Sequence, residues 1–253
     1  MKEEKIAFKN SRGQKLVGKL STTDNKDNLI VIICHGLSSS KESKTSLVLK
    51  ENLNKFNIST FRFDFYGHGE SDGRFEDITL TGGVDDILNA INYLRNLGYK
   101  KIGLFGASFG GNCALLATAK TDDLVVLGLM CPVSNYSGKL VAQKSKEEIK
   151  NWKNIGFINY SSSFHGKMRL NYSFFEDSKI NDGWEAAKNI KIPTLVVHGD
   201  KDTTVPIEQS KRLCSILSNR KFKIIKGADH IFSKEEHFNQ AIKLFVGWFE
   251  KWR

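Results

Sequence analysis

The residues Gly106-Ala107-Ser108-Phe109-Gly110-Gly111 follow directly on the β-rich run Lys101–Phe105 and lead into a helix-like stretch from Asn112 to Lys120. A serine with glycine two places before and two places after suits a sharp strand-to-helix turn, because that turn crowds those two positions together. The chemistry open to such a serine is nucleophilic attack on an acyl carbon. Its hydroxyl is a poor nucleophile until a base takes the proton, so a histidine is required, and a carboxylate to orient it.

Six histidines are available. His230, in Gly227-Ala228-Asp229-His230, stands after the last strand-like run and before the last helix, which is where a base for Ser108 belongs. His237 falls within the C-terminal helix, His165 in a long aromatic segment, His198 at a strand end as a structural imidazole, and His68 in a loop. For the carboxylate, Val197-His198-Gly199-Asp200-Lys201-Asp202 closes the strand that begins at Thr194. Asp202 is the favoured partner of His230, with Asp200 and Asp229 as the other candidates. The resulting chain order is Ser, Asp, His, the order in which α/β-hydrolases present a triad.

Attack on an ester leaves negative charge on the former carbonyl oxygen, and amides at a helix N-terminus can stabilise it. The Phe109 N–H is one candidate donor. A second should come from the loop after an earlier strand, and Cys34-His35-Gly36-Leu37 ends the run Leu29–Cys34, which assigns the role to the Leu37 N–H.

These residues need a scaffold that collects strand ends. The segments KIAFK and KLVGKL alternate apolar and polar residues around Asn10-Ser11-Arg12-Gly13, the pattern of a hairpin. Short apolar runs then appear at Leu29–Cys34, Ser59–Phe63, Lys101–Phe105, Leu124–Met130, Thr194–Val197 and Phe222–Ile225, several apolar on both faces, as strands covered on both sides must be. Helical periods separate them, the clearest being Val84, Ile87, Leu88, Ile91 and Leu94 before Gly98, and Phe238, Ala241, Ile242, Phe245, Trp248 and Phe249. Strand and helix therefore alternate, which predicts a mostly parallel central sheet with helices on both faces and ligands beyond the carboxyl ends of the strands. Residues 135–185 break the rhythm, with no buried-strand run but many aromatics. About fifty residues are too many for a structureless loop in a compact domain, so the expectation is an inserted cap on a core of residues 1–134 and 186–253.

Composition bounds the rest. With 253 residues, 40% hydrophobic and 26% charged, the chain has the make-up of a globular protein, which excludes disorder, collagen and coiled coil. No window approaches the about 18 apolar residues of a membrane span, and the N-terminal MKEEKIAFKN carries charges with no apolar stretch after them, so a cytoplasmic protein is expected. Cys34, Cys113, Cys131 and Cys214 stand far apart without a C-x-x-C pair, as buried thiols do in a reducing compartment, and no metal or other cofactor is expected. The net charge of +10 raises a nucleic-acid reading, but its densest cluster is only Arg220, Lys221 and Lys223 and no aromatic-basic interleaving accompanies it. Nucleic acid is therefore not an expected partner, and the oligomeric state, a homodimer included, stays open.

Nearly the whole chain resembles the α/β-hydrolase superfamily. Phe63-Asp64-Phe65-Tyr66-Gly67-His68-Gly69-Glu70-Ser71-Asp72-Gly73, with Phe75-Glu76-Asp77 after it, resembles the corresponding loop of bacterial cinnamoyl and feruloyl esterases and of serine aminopeptidase-like hydrolases. The resemblance implies that this loop braces the site, giving Asp64 and His68 structural roles. Cinnamoyl esterases carry His and Gln beside the nucleophile where this chain has Ala107 and Phe109, an exchange that leaves amide donation intact and makes the surroundings more apolar. The expected function is a serine carboxylesterase acting on small-molecule esters of small to medium hydrophobic or cinnamoyl-like acids through an acyl-enzyme. The rival readings are a thioesterase or acyltransferase, a serine peptidase, and a noncatalytic ligand-binding protein of the same fold.

Overall fold

The computed structural model describes residues 1–23, 25–162 and 166–253. The main sheet contains β1 (Lys2–Lys9), β2 (Lys15–Thr22), β3 (Ile30–Cys34), β4 (Ser59–Phe63), β5 (Ile102–Ala107), β6 (Leu124–Met130), β9 (Thr194–Gly199) and β10 (Arg220–Ile225). Their spatial order is β1-β2-β4-β3-β5-β6-β9-β10. The β1–β2 hairpin and the β2–β4 pairing are antiparallel, and every other pairing in this sheet is parallel. Helices α1 (Lys44–Lys55), α2 (Leu80–Asn96), α3 (Phe109–Thr118) and α8 (Glu208–Ile216) lie in crossovers, α9 (Glu235–Phe249) follows the last strand, and all five flank the sheet.

The doubly apolar runs are explained by the layers. Ile30, Ile32 and Leu104 face a core shared with Val84 and Ile87 of α2 and Leu115 of α3. Val31, Ile33 and Phe105 face the opposite core, with Leu49 and Leu53 of α1 and Phe238, Phe245 and Phe249 of α9. Each strand residue is therefore apolar whichever way it points. At the open edge, β10 carries exposed Arg220, Lys221 and Lys223, charges that discourage another strand from pairing there.

Residues between β6 and β9 form α4 (Tyr136–Gln143), α5 (Lys146–Ile155), the antiparallel pair β7 (Phe157–Ser162) and β8 (Gly166–Asn171), α6 (Tyr172–Ile180) and α7 (Gly183–Ala187). The β7–β8 pair was not anticipated from sequence; most of β8 is exposed or half-buried, so it lacks the continuous apolar run that marks a covered strand. Ser145 and Glu148 close a capping box on α5, and Gly156 ends that helix at φ +87°. Trp152 is fully buried and donates Nε1–H to the Leu170 carbonyl at 3.0 Å. Phe164 and His165, both assigned to this segment from sequence, lie outside the described residues.

One buried acid ties the hairpin to the sheet. Asp86 of α2 accepts from Asn10 Nδ2 at 3.0 Å and from the Tyr66 N–H at 2.8 Å. Burial pushes its pKa up to about 6, against the pull of those two donors. Because the folded value exceeds the unfolded one, the group's contribution to stability is intact below about pH 4 and is lost as pH rises through about 6. The difference in unfolding free energy between wild type and Asp86→Asn should therefore move in favour of the variant by up to about 3 kcal/mol between pH 4 and pH 7. Urea unfolding of both proteins across that range measures it, and a pH-independent difference contradicts it.

Candidate active site

Ser108 stands alone between the end of β5 and the start of α3, at φ +52° and ψ −110°. A residue with a Cβ pays on the order of 1–3 kcal/mol for such a conformation, so its surroundings must impose it. Its N–H bonds to the Met130 carbonyl at 2.9 Å, and its own carbonyl accepts from Asn112 and Val133 at 3.1 and 3.3 Å. The side chain does not cap α3. It points instead to the carboxyl edge of the sheet.

The flanking glycines are required by contact. A Cβ on Gly106 would strike the Gly110 carbonyl, and one on Gly110 would strike the His35 and Cys34 carbonyl oxygens. These are backbone atoms, of α3, of the loop after β3 and of β3 itself, so relief by a rotamer change is unavailable. Gly110→Ala should lower the unfolding free energy by about 3 kcal/mol or more. A urea midpoint close to wild type would contradict this packing.

His230, in the loop after β10, has Nε2 3.0 Å from Ser108 Oγ and Nδ1 2.7 Å from Asp202 Oδ2. Since the carboxylate can only accept, Nδ1 carries the proton and the Nε2 lone pair is left for the serine hydroxyl. Asp202 lies in the turn after β9 and is buried. Its Oδ1 accepts from the Thr204 and Val205 N–H groups at 2.9 and 2.7 Å. Burial opposes its charge, but the bonds from His198, His230 and Val205 hold its pKa well below the ordinary carboxylate range.

The competing aspartates are engaged elsewhere. Asp200 Oδ1 accepts from the Gly227 N–H at 2.6 Å and ties the turn after β9 to the end of β10. Asp229 accepts from the Ser233 N–H at 2.8 Å and from its hydroxyl. Among the described residues, Asp202 is the aspartate that meets His230.

His198 plays a part that its position at a strand end did not disclose. Its Nε2 is 3.1 Å from Asp202 Oδ2 and 3.0 Å from the Val205 carbonyl, and its Nδ1 is 2.7 Å from Ser210 Oγ. Both neighbours of Nε2 can only accept, so Nε2 bears hydrogen, and one Asp202 oxygen receives bonds from two imidazoles. Cys131, buried beside them, has its thiol pKa raised by burial and by the Asp202 charge. Cys131, His198 and Asp202 offer ligand atoms within 4.8 Å of one another, but the atoms of His198 and Asp202 are already committed to the bonds just given. The i,i+4 spacing of His198 and Asp202 was the available sequence signal.

The loop after β3 reaches the same edge. The Cβ position of Gly36 would be 3.7 Å from Ser108 Cβ, so this backbone lies against the serine. His35 Nε2 accepts from the Phe65 N–H at 3.2 Å, which leaves Nδ1–H to donate to the Gly36 carbonyl at 2.8 Å. That carbonyl and the Leu37 N–H belong to one planar trans peptide and point in opposite directions, so His35 fixes the direction of the Leu37 N–H. Burial lowers the His35 pKa, which favours the neutral ring this pattern requires. The Phe109 N–H occupies the first position of α3, where no preceding turn supplies an acceptor.

Behind this loop, buried Asp64 accepts from the Lys41 N–H at 2.7 Å, from Lys41 Nζ at 2.6 Å and from the Glu70 N–H at 3.0 Å. His68 lies with its ring 6.1 Å from Phe109 and 4.9 Å from His35. Phe109 packs on Phe65 at 5.4 Å and, from the inserted segment, on Tyr136 and Phe174, each at 6.4 Å. Trp152, Tyr172 and Phe175 pack on one another instead. The aromatics thus divide between the segment's own core and the neighbourhood of the serine.

The strand order, the flanking helices and the position of the elbow define an α/β-hydrolase. Residues 75–253 match the model of the prolyl oligopeptidase family, well over half of the sequence, and the chain belongs to that family. It is 26% identical over 234 residues to the uncharacterized protein YfhR of Salmonella typhimurium, covering 90% of this chain and 74% of that one. It is also 26% identical over 208 residues to the mitochondrial palmitoyl-protein thioesterase ABHD10 of Bos taurus, covering 79% of this chain and 66% of that one. Among solved structures it is similar to Est1E of Butyrivibrio proteoclasticus with ferulic acid bound, at TM-score 0.82 and 26% identity over 97% of this chain and 96% of that one. The chain is therefore a hydrolase with esterase and thioesterase neighbours. Among the described residues, no helix is long and apolar enough to cross a membrane.

Proposed function

We propose that the protein is a serine carboxylesterase for small-molecule esters of hydrophobic or aromatic acids. The observation that carries this reading is the unbroken chain from Ser108 Oγ through His230 to Asp202, with bonds of 3.0 and 2.7 Å. Ser108 attacks the ester carbon while His230 Nε2 takes its proton, and the Leu37 and Phe109 amides receive the developing oxyanion. The protonated His230, steadied by Asp202, then gives its proton to the departing alcohol. Water activated by the same imidazole releases the acid and restores Ser108.

The substrate class rests on the rings. Phe109, next to Ser108 in the chain, packs with Tyr136 and Phe174 into a buried aromatic group, and residues 135–185 act in this reading as a cap that shapes the acyl pocket. A peptidase would need an acidic anchor for a peptide amine, and the acids of the inserted segment are poorly suited: Glu148 is spent in the α5 capping box, Asp177 accepts from Thr81, Asp182 caps α7, and Glu147, Glu176 and Glu185 are exposed. Hydrolysis rates for 4-nitrophenyl acetate, butyrate and octanoate, methyl ferulate, a butyryl thioester and an aminoacyl-anilide test the reading. Ester turnover should exceed anilide turnover at least about a hundredfold; preferential cleavage of the anilide would overturn it.

His198 acts as a positioning residue here, because it shares the carboxylate that steadies His230. His198→Leu should lower kcat about tenfold with KM within about twofold, and His198→Gln, which can still donate toward Asp202, should recover most of that loss. Equal kcat in both variants would reduce His198 to a packing residue.

A further inference from the structure

The face of α4 turned to the active site carries a cation that, among the described residues, no carboxylate pairs with directly. Positions 135, 139 and 143 fall on one stripe at helical spacing. At one end, the Asn135 N–H and carbonyl bond to the Gln209 side chain, both at 3.1 Å. At the other, Gln143 Nε2 donates to the Thr204 carbonyl at 3.2 Å, two residues beyond Asp202. One position around the helix, Tyr136 packs on Phe109 beside the nucleophile. Lys139 lies between these anchors on the helix, close enough to Asp202 to feel its charge. It is half-buried and, among the described residues, its ammonium pairs with no carboxylate and donates to no acceptor.

The nearby acids are already used. Asp202 is bonded through both oxygens, and Asp182 accepts from Asn135 Nδ2 at 3.1 Å while capping α7. Lys144, one turn further on, adds charge of the same sign. Burial, with Lys144, lowers the Lys139 pKa against the attraction of Asp202, as expected of a cation lacking a close counter-charge. A partly desolvated ammonium without a partner is costly to keep unless a ligand supplies the anion.

We propose that Lys139 binds an anionic group, carboxylate or phosphate, carried by the substrate away from its scissile carbonyl, so that the enzyme prefers anionic esters or thioesters to neutral ones. The inference rests on Ser108 being the nucleophile, and it adds a charge requirement to the hydrophobic pocket. The anion could sit on the acid or on the leaving group, and two substrate pairs separate these: the 4-nitrophenyl monoester of glutaric acid against 4-nitrophenyl butyrate, and butyryl-coenzyme A against S-butyryl-N-acetylcysteamine.

In at least one pair the wild type should show the higher kcat/KM for the anionic member. Lys139→Met should lower that anionic-to-neutral ratio about tenfold, and Lys139→Arg should keep it within about threefold. The wild-type ratio should also fall as ionic strength rises from about 0.02 to about 0.5 M, a readout that needs no variant. A wild type indifferent to charge in both pairs, or a ratio untouched in Lys139→Met, would overturn the proposal. Neutral-ester turnover that survives Ser108→Ala would instead overturn the underlying reading, so the two failures are distinguishable.

Discussion

Ser108→Ala should lower ester turnover by a factor of up to about 10⁶, the scale seen when a serine hydrolase loses its nucleophile. The hydroxyl is the atom 3.0 Å from His230 Nε2, and it contributes no bond that holds α3 or β5. The elbow is fixed by backbone bonds from Met130, Asn112 and Val133, all of which alanine keeps. Tm should therefore stay within a few degrees of wild type while 4-nitrophenyl butyrate hydrolysis falls to the level of the oxyanion amides alone. Residual activity near the wild-type rate would mean that another group attacks the ester.

Asp202→Asn should cost about 10⁴ in kcat. An amide offers one oxygen where the carboxylate offers two, and four donors converge on Asp202: His230, His198 and the Thr204 and Val205 amides. If the new NH₂ faces His230, the imidazole must move its proton to Nε2, where it can no longer accept from Ser108. If it faces the backbone amides, donors oppose donors, with a stability cost of about 1–3 kcal/mol for the groups left unpaired. The first arrangement removes the base; the second keeps the tautomer but loses both the backbone anchors and the negative charge that steadies the protonated imidazole. A kcat within about tenfold of wild type would show that His230 does not depend on this carboxylate.

Much of this architecture is legible in the sequence because strands covered on both faces leave continuous apolar runs. Ser59–Phe63 and Leu124–Met130 are read with the bounds the structure gives them, and the others differ by a few residues at their ends. The candidate site is legible for a related reason: the chemistry of an elbow, an aspartate turn and a histidine loop is written locally, each at a strand end. What depends on the direction of a side chain is not. His198 reads as a strand-end imidazole until β9 and its turn place it on the carboxylate of Asp202. His35 reads as part of a turn until the Phe65 amide fixes its tautomer. Lys139 is one lysine among many until the anchors at Asn135 and Gln143 show which face of α4 it occupies. The β7–β8 pair escaped because it covers little, and a strand without a buried face leaves no period to find.

Reaction with a fluorophosphonate, followed by intact mass and peptide mapping, addresses most directly whether these three side chains act together. A single adduct should form on Ser108 in the wild type and be strongly slowed in His230→Ala, because the probe reads a hydroxyl already made nucleophilic. An unmodified Ser108, or labelling at equal rates with and without the His230 imidazole, would contradict the account.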